Sequence, residues 1–94
     1  MNNIYTYELD TRFDRAKSFY NKAIITETKN TIKLTSYETD IVELDKKTNK
    51  LKWLVNGEWA FTQTTNRHIN EFLRQFTNEQ PKTKQQLLKL ANAK

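Results

Sequence analysis

The 94-residue sequence contains no cysteine, which excludes disulfide bonds and metal sites built from thiolates. It begins without the basic segment and apolar core of a secretory signal peptide. No apolar run approaches the length of a membrane-spanning helix. These absences predict a single intracellular domain in a reducing cytoplasm. Its core is expected to be small, because a chain of this length buries roughly 60–65% of its unfolded surface.

Glycine and proline occur once each, so most turns must be built from Asn, Asp, Thr and Lys. The single glycine excludes a glycine-rich phosphate-binding loop, and a single histidine without cysteine gives no metal-ligand spacing. No cofactor is therefore expected. Acidic pairs such as Glu38 with Asp40 lie two apart on predicted strands and are typical of a solvated face. We predict that the protein is not an enzyme.

Positive charge is concentrated in the last third of the chain. Residues 1–30 carry five basic and four acidic groups, residues 31–60 carry five of each, and residues 61–94 carry six basic and two acidic groups. After Pro81 there are four lysines and no acidic residue. This asymmetry can attract phosphate groups or an acidic protein surface, although a solvated lysine-rich tail would show the same pattern.

The first half of the chain shows the alternation of apolar and polar residues that is typical of β-strands. Residues 4–9 predict a first strand, and residues 21–37 and 40–55 each predict a pair of strands. The earlier strands are apolar on one side only, whereas the hairpin that turns at Asn56–Gly57 is apolar on both sides. Between the first strand and the next, residues 11–20 fit a short helix, which we prefer, or an irregular arm.

The Asn56–Gly57 dipeptide is the strongest local signal, because Asn-Gly between apolar segments favours a two-residue hairpin turn. Pairing across this turn places Trp53 and Trp59 on opposite faces, since successive side chains of a strand alternate. Leu54, Trp59 and Phe61 then form an apolar patch on the second face. We expect the C-terminal helix, another subunit or a partner to cover that patch.

Two helices are predicted after this hairpin. The first, at about residues 65–76, begins at an N-cap of Thr64 or Thr65 and carries an apolar stripe suited to packing on a sheet. The second, at about residues 83–93, begins with Thr83 and Gln86 in a capping-box pattern. The stripe of the first helix consists of Ile69, Phe72, Leu73 and Phe76.

His68 lies beside the apolar stripe of the first helix. A nucleophile–base pair also needs an orienting third group, and no sequence motif supplies one. We therefore predict a satisfied or half-buried structural histidine, with Thr64 and Thr65 as neighbours able to accept or donate a hydrogen bond. Arg67 and Glu71, four residues apart, are expected on the outer side of the same helix.

The outer side of the first helix carries Arg and Asn, which are residue types that contact nucleic acid. Many surface helices carry them, and the preceding hairpin excludes a helix-turn-helix. Aromatic residues interleaved with lysine, such as Tyr37, Lys52 and Trp59, would instead allow single-stranded bases to stack, although aromatics on small sheets usually pack. The predicted nucleic-acid contacts are Arg67, Asn70, Arg74, Lys82, Lys84 and Lys89.

Three short motifs resemble those of a small domain of unknown function found in Gram-positive bacteria, their phages and their plasmids. They are Ser-Phe-Tyr at residues 18–20, Ser-Tyr-x-Thr at residues 36–39, and Thr-Thr-x-x-His-Ile-x-x-Phe-Leu at residues 64–73. The resemblance covers residues 17–76. It implies a phage or mobile-element setting, in which small proteins often act by binding, including as inhibitors of host nucleases and CRISPR systems.

The predicted fold is α+β: a small, twisted antiparallel sheet of four to five strands, with the helix at about 65–76 packed on one face. Residues 1–80 form the domain. Residues 81–94 form a basic C-terminal helix or tail that covers the other face or reaches out to a partner.

The predicted function is non-catalytic binding of nucleic acid through the basic C-terminal third, in a phage or other mobile element. One alternative is an anti-CRISPR-like, protein–protein inhibitor of a host defence or nucleic-acid enzyme, with Leu54, Trp59 and Phe61 as its anchor. The other alternative is a structural homodimer. Its seam would consist of Leu87, Leu90 and Ala91.

Overall fold

A five-stranded antiparallel sheet followed by two helices forms the fold. The computed structural model describes residues 4–14, 16–55, 58–77 and 82–92. Each strand pairs with the next along the chain, in the order β1-β2-β3-β4-β5, which confirms the predicted α+β class. The elements are β1 (Tyr5–Glu8), β2 (Ala23–Glu27), β3 (Thr31–Ser36), β4 (Thr39–Asp45), β5 (Leu51–Trp53), a 3₁₀ helix (Glu58–Ala60), α1 (Gln63–Phe76) and α2 (Lys84–Asn92).

The sheet has one apolar face and one polar face. Leu34 of β3 pairs with Val42 of β4, and both side chains are fully buried. The neighbouring pair, Lys33 and Glu43, lies on the opposite face and stays partly accessible. This alternation follows from the pleat of the strands and confirms the one-sided pattern predicted for β3 and β4. A bulge after Leu34 leaves Ile41 unpaired, and its side chain is also buried.

Helix α1 packs its apolar stripe on the buried face of the sheet. Ile69, Phe72 and Leu73 are fully buried, and each contributes roughly 1.5–3 kcal/mol by leaving water. The helix begins at Gln63, and the hydroxyl of Thr62 accepts the Thr65 N–H as the N-cap. The predicted cap at Thr64 or Thr65 was wrong. Thr62 has an extended backbone and directly follows the buried Phe61, so the helix begins at the next residue, Gln63.

Helix α2 joins the same core. Thr83 and Gln86 form the predicted capping box, with bonds of 2.8 and 3.3 Å between each backbone N–H and the other side chain. Leu87 and Ala91 are buried in one cluster with the residues of α1 and the sheet. The expectation that this helix covers the other face or reaches out was wrong, because Leu87 and Ala91 are buried with the residues that α1 packs against. Neither described helix has the length and apolar composition to cross a bilayer.

The chain after β5 does not form the predicted second strand of a hairpin. Asn56–Gly57 lies outside the described residues, and residues 58–60 form the 3₁₀ helix. The side chain of Phe61 is fully buried, with its ring centroid 6.2 Å from that of Trp53. Trp59 is 69% exposed and Leu54 is 38% exposed. The predicted patch of Leu54, Trp59 and Phe61 was therefore wrong, because Phe61 completes the core.

The segment between β1 and β2 is irregular in its described part, so the preferred short helix was wrong. The carboxylate of Glu71 accepts the backbone N–H groups of Phe13, at 2.9 Å, and Asp14, at 2.8 Å. Glu71 is buried, whereas the sequence placed it on the outer side of α1. Its carboxylate supplies the hydrogen bonds that a helical backbone would otherwise make for itself.

Candidate functional site

A line of buried polar side chains connects the sheet to α1. The Oγ atom of Ser36, at the end of β3, lies 2.8 Å from Nδ1 of His68 and 3.0 Å from Oγ1 of Thr65. All three side chains are buried. Thr65 and His68 are three residues apart and therefore share the helix face that meets β3. These hydrogen bonds offset the loss of hydration of the hydroxyls and the imidazole.

The imidazole of His68 is held between aromatic rings. Its centroid lies 4.5 Å from that of Phe19 and 5.9 Å from that of Tyr37. Burial and, to a smaller extent, the positive charge of Arg67 lower the pKa of His68 to about 4, while the negative charge of Asp14 acts in the opposite direction. The ring is therefore neutral at pH 7. Its Nε2 atom is buried and has no hydrogen-bond partner among the described residues.

The contact between Ser36 and His68 has the length of a nucleophile–base pair. The burial of Ser36 and the low pKa of the imidazole make it a poor one, since a general base works best with a pKa near the working pH. No described residue orients the second ring nitrogen. The described part of the chain also brings no three metal-ligating side chains together. The geometry favours a role in holding the helix on the sheet.

The three sequence motifs meet at this line of side chains. Phe19 of the first motif packs against His68 of the third, and Ser36 of the second hydrogen-bonds to the same ring. The hydroxyl of Ser18 donates to the carboxylate of Glu8, with its shorter contact at 3.3 Å. The motifs therefore fix how the arm, the sheet and α1 fit together.

An open pocket of about 330 Å³ adjoins the buried side chains of Ser36 and Thr65. We call it the aromatic pocket. Ser36 and Thr65 form part of its wall. Tyr37, which is 48% exposed, and Trp59 contribute rings to the same pocket. Tyr37 adopts a left-handed backbone with φ of 57° in the turn between β3 and β4. Aromatic rings with this exposure are available to a ligand.

A second surface carries positive charge across both helices. Asn70 of α1 exchanges two hydrogen bonds of 2.9 Å with the backbone of Lys82, which ties the start of α2 to α1. Arg74 lies one turn beyond Asn70, with its guanidinium 4.6 Å from the ring centroid of Phe13. Lys82 and Lys89 line one groove beside α2. We call Arg74, Lys82 and Lys89 the basic strip.

Arg67 is engaged by an acidic partner. Its guanidinium makes two hydrogen bonds to the carboxylate of Asp14, one of them 3.0 Å from Nε to Oδ2. Hydrogen bonding to Asp14 raises the pKa of Arg67 above its usual value. The bidentate pair leaves little net positive charge at this end of α1.

A separate charged cluster fastens the edge of the sheet. The hydroxyl of Tyr7 donates to one oxygen of Glu27 at 2.9 Å, and Nζ of Lys46 donates to the other at 2.7 Å. The hydrogen bond from Lys46 lowers the pKa of Glu27. Burial, followed by the hydrogen bond to Glu27, raises the pKa of Tyr7 to about 12. These contacts link β1, β2 and the turn after β4.

Comparison with known families matches residues 7–89 to a family of unknown function, DUF8033. The chain belongs to the DUF8033 family. No curated protein and no solved structure matches it. The match runs from β1 into α2. The DUF8033 domain is therefore wider than residues 17–76, over which the sequence motifs resemble a domain of unknown function.

The DUF8033 fold divides the predicted nucleic-acid contacts into two groups. Arg67 pairs with Asp14, and the amide of Asn70 is bonded to the backbone of Lys82, so both side chains hold the fold together. The remaining four belong to the basic strip or lie next to it. They are Arg74, Lys82, Lys84 and Lys89.

The predicted protein-binding residues are also separated in the DUF8033 domain. Phe61 is inaccessible, whereas Trp59 and Leu54 reach the surface. Trp59 faces the aromatic pocket together with Tyr37. Lys52, which the sequence grouped with those two rings, instead pairs with Glu43 on the polar face of the sheet.

Sequence reasoning missed Glu71 and the wall of the aromatic pocket. Helical spacing placed Glu71 outside the apolar stripe, and nothing in the sequence shows that the arm before β2 lies over it. Tyr37 could have indicated the pocket from the sequence, because tight turns favour Asn, Asp or Gly and an aromatic residue there is unusual.

Proposed function

We propose that this DUF8033 domain is a small, non-catalytic protein that binds nucleic acid through the basic strip. The phosphate contacts would come from Arg74, Lys82 and Lys89, with Lys84 adding charge nearby. Cationic side chains of this kind supply most of the affinity in sequence-independent binding. The low pKa and burial of His68 support a role without catalysis.

The observation that carries the proposal is that cationic side chains lie on both helices, which Asn70 joins through the backbone of Lys82. Asn70 fixes Lys82 to α1, and Arg74 follows one helical turn later. Helix α2 contains no acidic residue. The nearby acids, Asp14 and Glu71, are committed to Arg67 and to backbone N–H groups.

The setting that we propose is a phage or another mobile element. The support for this setting is the resemblance of the three sequence motifs, which the fold brings together around His68. In that setting, a small basic protein would encounter the nucleic acid of the mobile element and that of the host cell.

Salt-dependent binding tests the proposed function. Affinity for labelled duplex and single-stranded oligonucleotides is measured at low and at near-physiological salt. On duplex, log affinity should fall with log salt by about 0.9 for each phosphate neutralised. Replacing Arg74 and Lys89 together by glutamine should weaken binding and reduce that slope by about 2.

The matched control removes the same charge elsewhere. Lys29 and Lys47 are exposed residues of turns and line none of the described pockets. Replacing both by glutamine should change the affinity much less than replacing Arg74 and Lys89. Equal effects of the two double variants would refute the basic strip, and the absence of binding at low salt would refute the proposed function.

A second candidate function is protein binding, including inhibition of a host defence or nucleic-acid enzyme. The observation that favours it is the exposure of Trp59, because large aromatic side chains dominate binding hot spots. A complex captured from host lysate should then survive nuclease treatment and moderate salt. Trp59→Ala should abolish it while the thermal unfolding temperature stays unchanged.

The structural homodimer is weakened as an alternative. Leu87 and Ala91 are buried inside the chain, so Leu90, at 36% exposure, is the one residue of the predicted seam that reaches the surface. Light scattering that shows a monomer at high protein concentration would exclude it.

A further inference from the structure

The aromatic pocket supports a more specific inference about the ligand. We propose that it binds an unpaired nucleobase of single-stranded nucleic acid, stacked on Tyr37 or Trp59. This inference rests on the proposed function, because the phosphates that follow the base would be held by cationic side chains. Stacking on exposed aromatic rings is the usual way in which proteins hold single strands without reading their sequence.

The exposure of the two rings supports the inference. Trp59 is 69% exposed and Tyr37 is 48% exposed, and both line the same pocket. Large aromatic side chains are usually buried, because covering them is among the largest single gains of folding. Two such rings left at one opening form a surface on which a flat ligand can stack.

The backbone at Tyr37 gives independent support. Its φ of 57° lies in the left-handed region, which Asn and Gly adopt with less strain than Tyr. Backbone strain of this kind tends to persist where a side chain has a function. Asn would adopt this backbone with less strain, and the position instead carries a tyrosine whose ring lines the pocket.

The charge beside the pocket suits a nucleic acid. Nζ of Lys22 lies 5.6 Å from the ring centroid of Tyr37. The amine lies over one face of this ring, where it would attract the phosphate that adjoins a base bound in the pocket. Glu38 lines a neighbouring cleft with Lys22 and Tyr37, and its carboxylate opposes such a phosphate. The same geometry therefore predicts that removing the charge of Glu38 strengthens binding.

Hydroxyl groups surround the rings. Thr39 and Thr62 contribute hydroxyls to the pocket wall, whereas the hydroxyls of Ser36 and Thr65 are engaged with each other. The Thr62 hydroxyl accepts the Thr65 N–H as the N-cap and can still donate. Such groups match the edges of any base without selecting one. The proposed ligand class is consequently single-stranded DNA or RNA with little sequence preference.

The first experiment compares oligonucleotides that differ in bases but not in charge. An oligothymidylate and an oligouridylate of about twelve nucleotides, within the usual site sizes, are compared with an abasic strand of the same length. Stacking of one base predicts that the base-containing strands bind between about 5-fold and 100-fold more tightly than the abasic strand. Comparing the thymidine and uridine strands tests whether DNA and RNA are both accepted.

The second experiment uses variants that keep the fold. Tyr37→Asn retains a residue suited to left-handed backbone, and Trp59→Ala removes an exposed side chain. The variant that lacks the stacking ring should lose most of the advantage of the base-containing strands while its abasic binding stays unchanged. An unchanged advantage in both variants overturns the inference. The control is Tyr5→Ala, which removes another exposed tyrosine that does not line the pocket. Glu38→Gln should strengthen binding of the base-containing strands.

The outcomes separate this inference from the proposed function. Equal, salt-dependent affinity for base-containing and abasic strands overturns base binding in the pocket and leaves the basic strip in place. Absence of binding by every strand refutes the proposed function as well. A third outcome combines two results: Trp59→Ala abolishes a protein complex that resists nuclease, and the protein binds base-containing and abasic strands equally. This outcome assigns the pocket to a protein partner and also overturns the inference.

Discussion

Nδ1 of His68 lies 2.8 Å from Oγ of Ser36, beneath the point where α1 meets the end of β3. This contact joins two of the three sequence motifs, and Phe19 of the remaining motif packs on the same imidazole. The neutral ring serves as a polar packing element, because it is buried between aromatic side chains and beside the charge of Arg67.

The burial of His68 predicts a pH dependence of folding. The pKa of this group is about 4 in the folded chain and 6.5 when unperturbed, so the unfolded chain binds more protons between these values. The stabilising effect is complete above pH 6.5 and is lost as pH falls towards 4. The loss approaches roughly 3 kcal/mol. Because the chain has one histidine, its proton resonance reports this pKa directly in an NMR titration.

The control for this prediction removes the titrating group. His68→Gln should flatten the difference in stability between pH 7 and pH 5 that the unmodified protein shows in chemical denaturation. A histidine resonance that titrates near 6.5 in the folded protein would contradict the buried, neutral imidazole.

The buried carboxylate of Glu71 predicts a large effect of a small substitution. Glu71→Gln replaces one accepting oxygen by an amide that donates, opposite the backbone N–H groups of Phe13 and Asp14. We expect a loss of about 1–3 kcal/mol in the free energy of unfolding. Glu38→Gln, at an exposed turn position, is the matched control and should change stability by less than about 0.5 kcal/mol. Equal stability of the two variants would show that Glu71 does not support the arm.

The pairing of Asp14 with Arg67 predicts that nucleic-acid binding is held back by an internal ion pair. Asp14→Asn removes the charge that opposes Arg67 and leaves the guanidinium available to phosphate. We expect tighter oligonucleotide binding, with a salt slope on duplex that is steeper by up to about 0.9. Fluorescence anisotropy at several salt concentrations measures both. Unchanged affinity and slope would place Arg67 outside the binding surface.

The burial of Leu87 predicts that α2 is needed for folding. Leu87→Ala should lower the free energy of unfolding by about 2–5 kcal/mol, as expected for a core leucine. Leu90→Ala, three residues along the same helix, should have a much smaller effect because the side chain is partly exposed. Urea denaturation compares the two variants. If both variants instead lose a similar, small amount of unfolding free energy, the result supports the predicted division into a domain of residues 1–80 and a separate tail.

The strands and the two helices follow from patterns that are local in sequence. Alternation fixed which side of β3 and β4 is apolar, and the stripe of Ile69, Phe72 and Leu73 predicted the buried face of α1. The capping box of Thr83 and Gln86 predicted the start of α2. Each pattern depends on neighbours within a few residues, so it can be read without the fold.

The candidate site depended on contacts between distant residues. Phe61 and Trp59 are two residues apart, yet one completes the core and the other faces solvent, because the chain turns into a 3₁₀ helix between β5 and α1. Glu71 became buried because the arm before β2 lies over it.

The sequence by itself determined the α+β class, the one-sided strands and the positive charge of the last third, because composition and periodicity are properties of the chain before it folds. Only the tertiary structure decided which charges and rings remain available. It paired Arg67 with Asp14, buried Phe61, placed α2 in the core and brought Tyr37 and Trp59 to one pocket. Availability depends on what lies opposite a side chain in space, and that partner is often tens of residues away in the sequence.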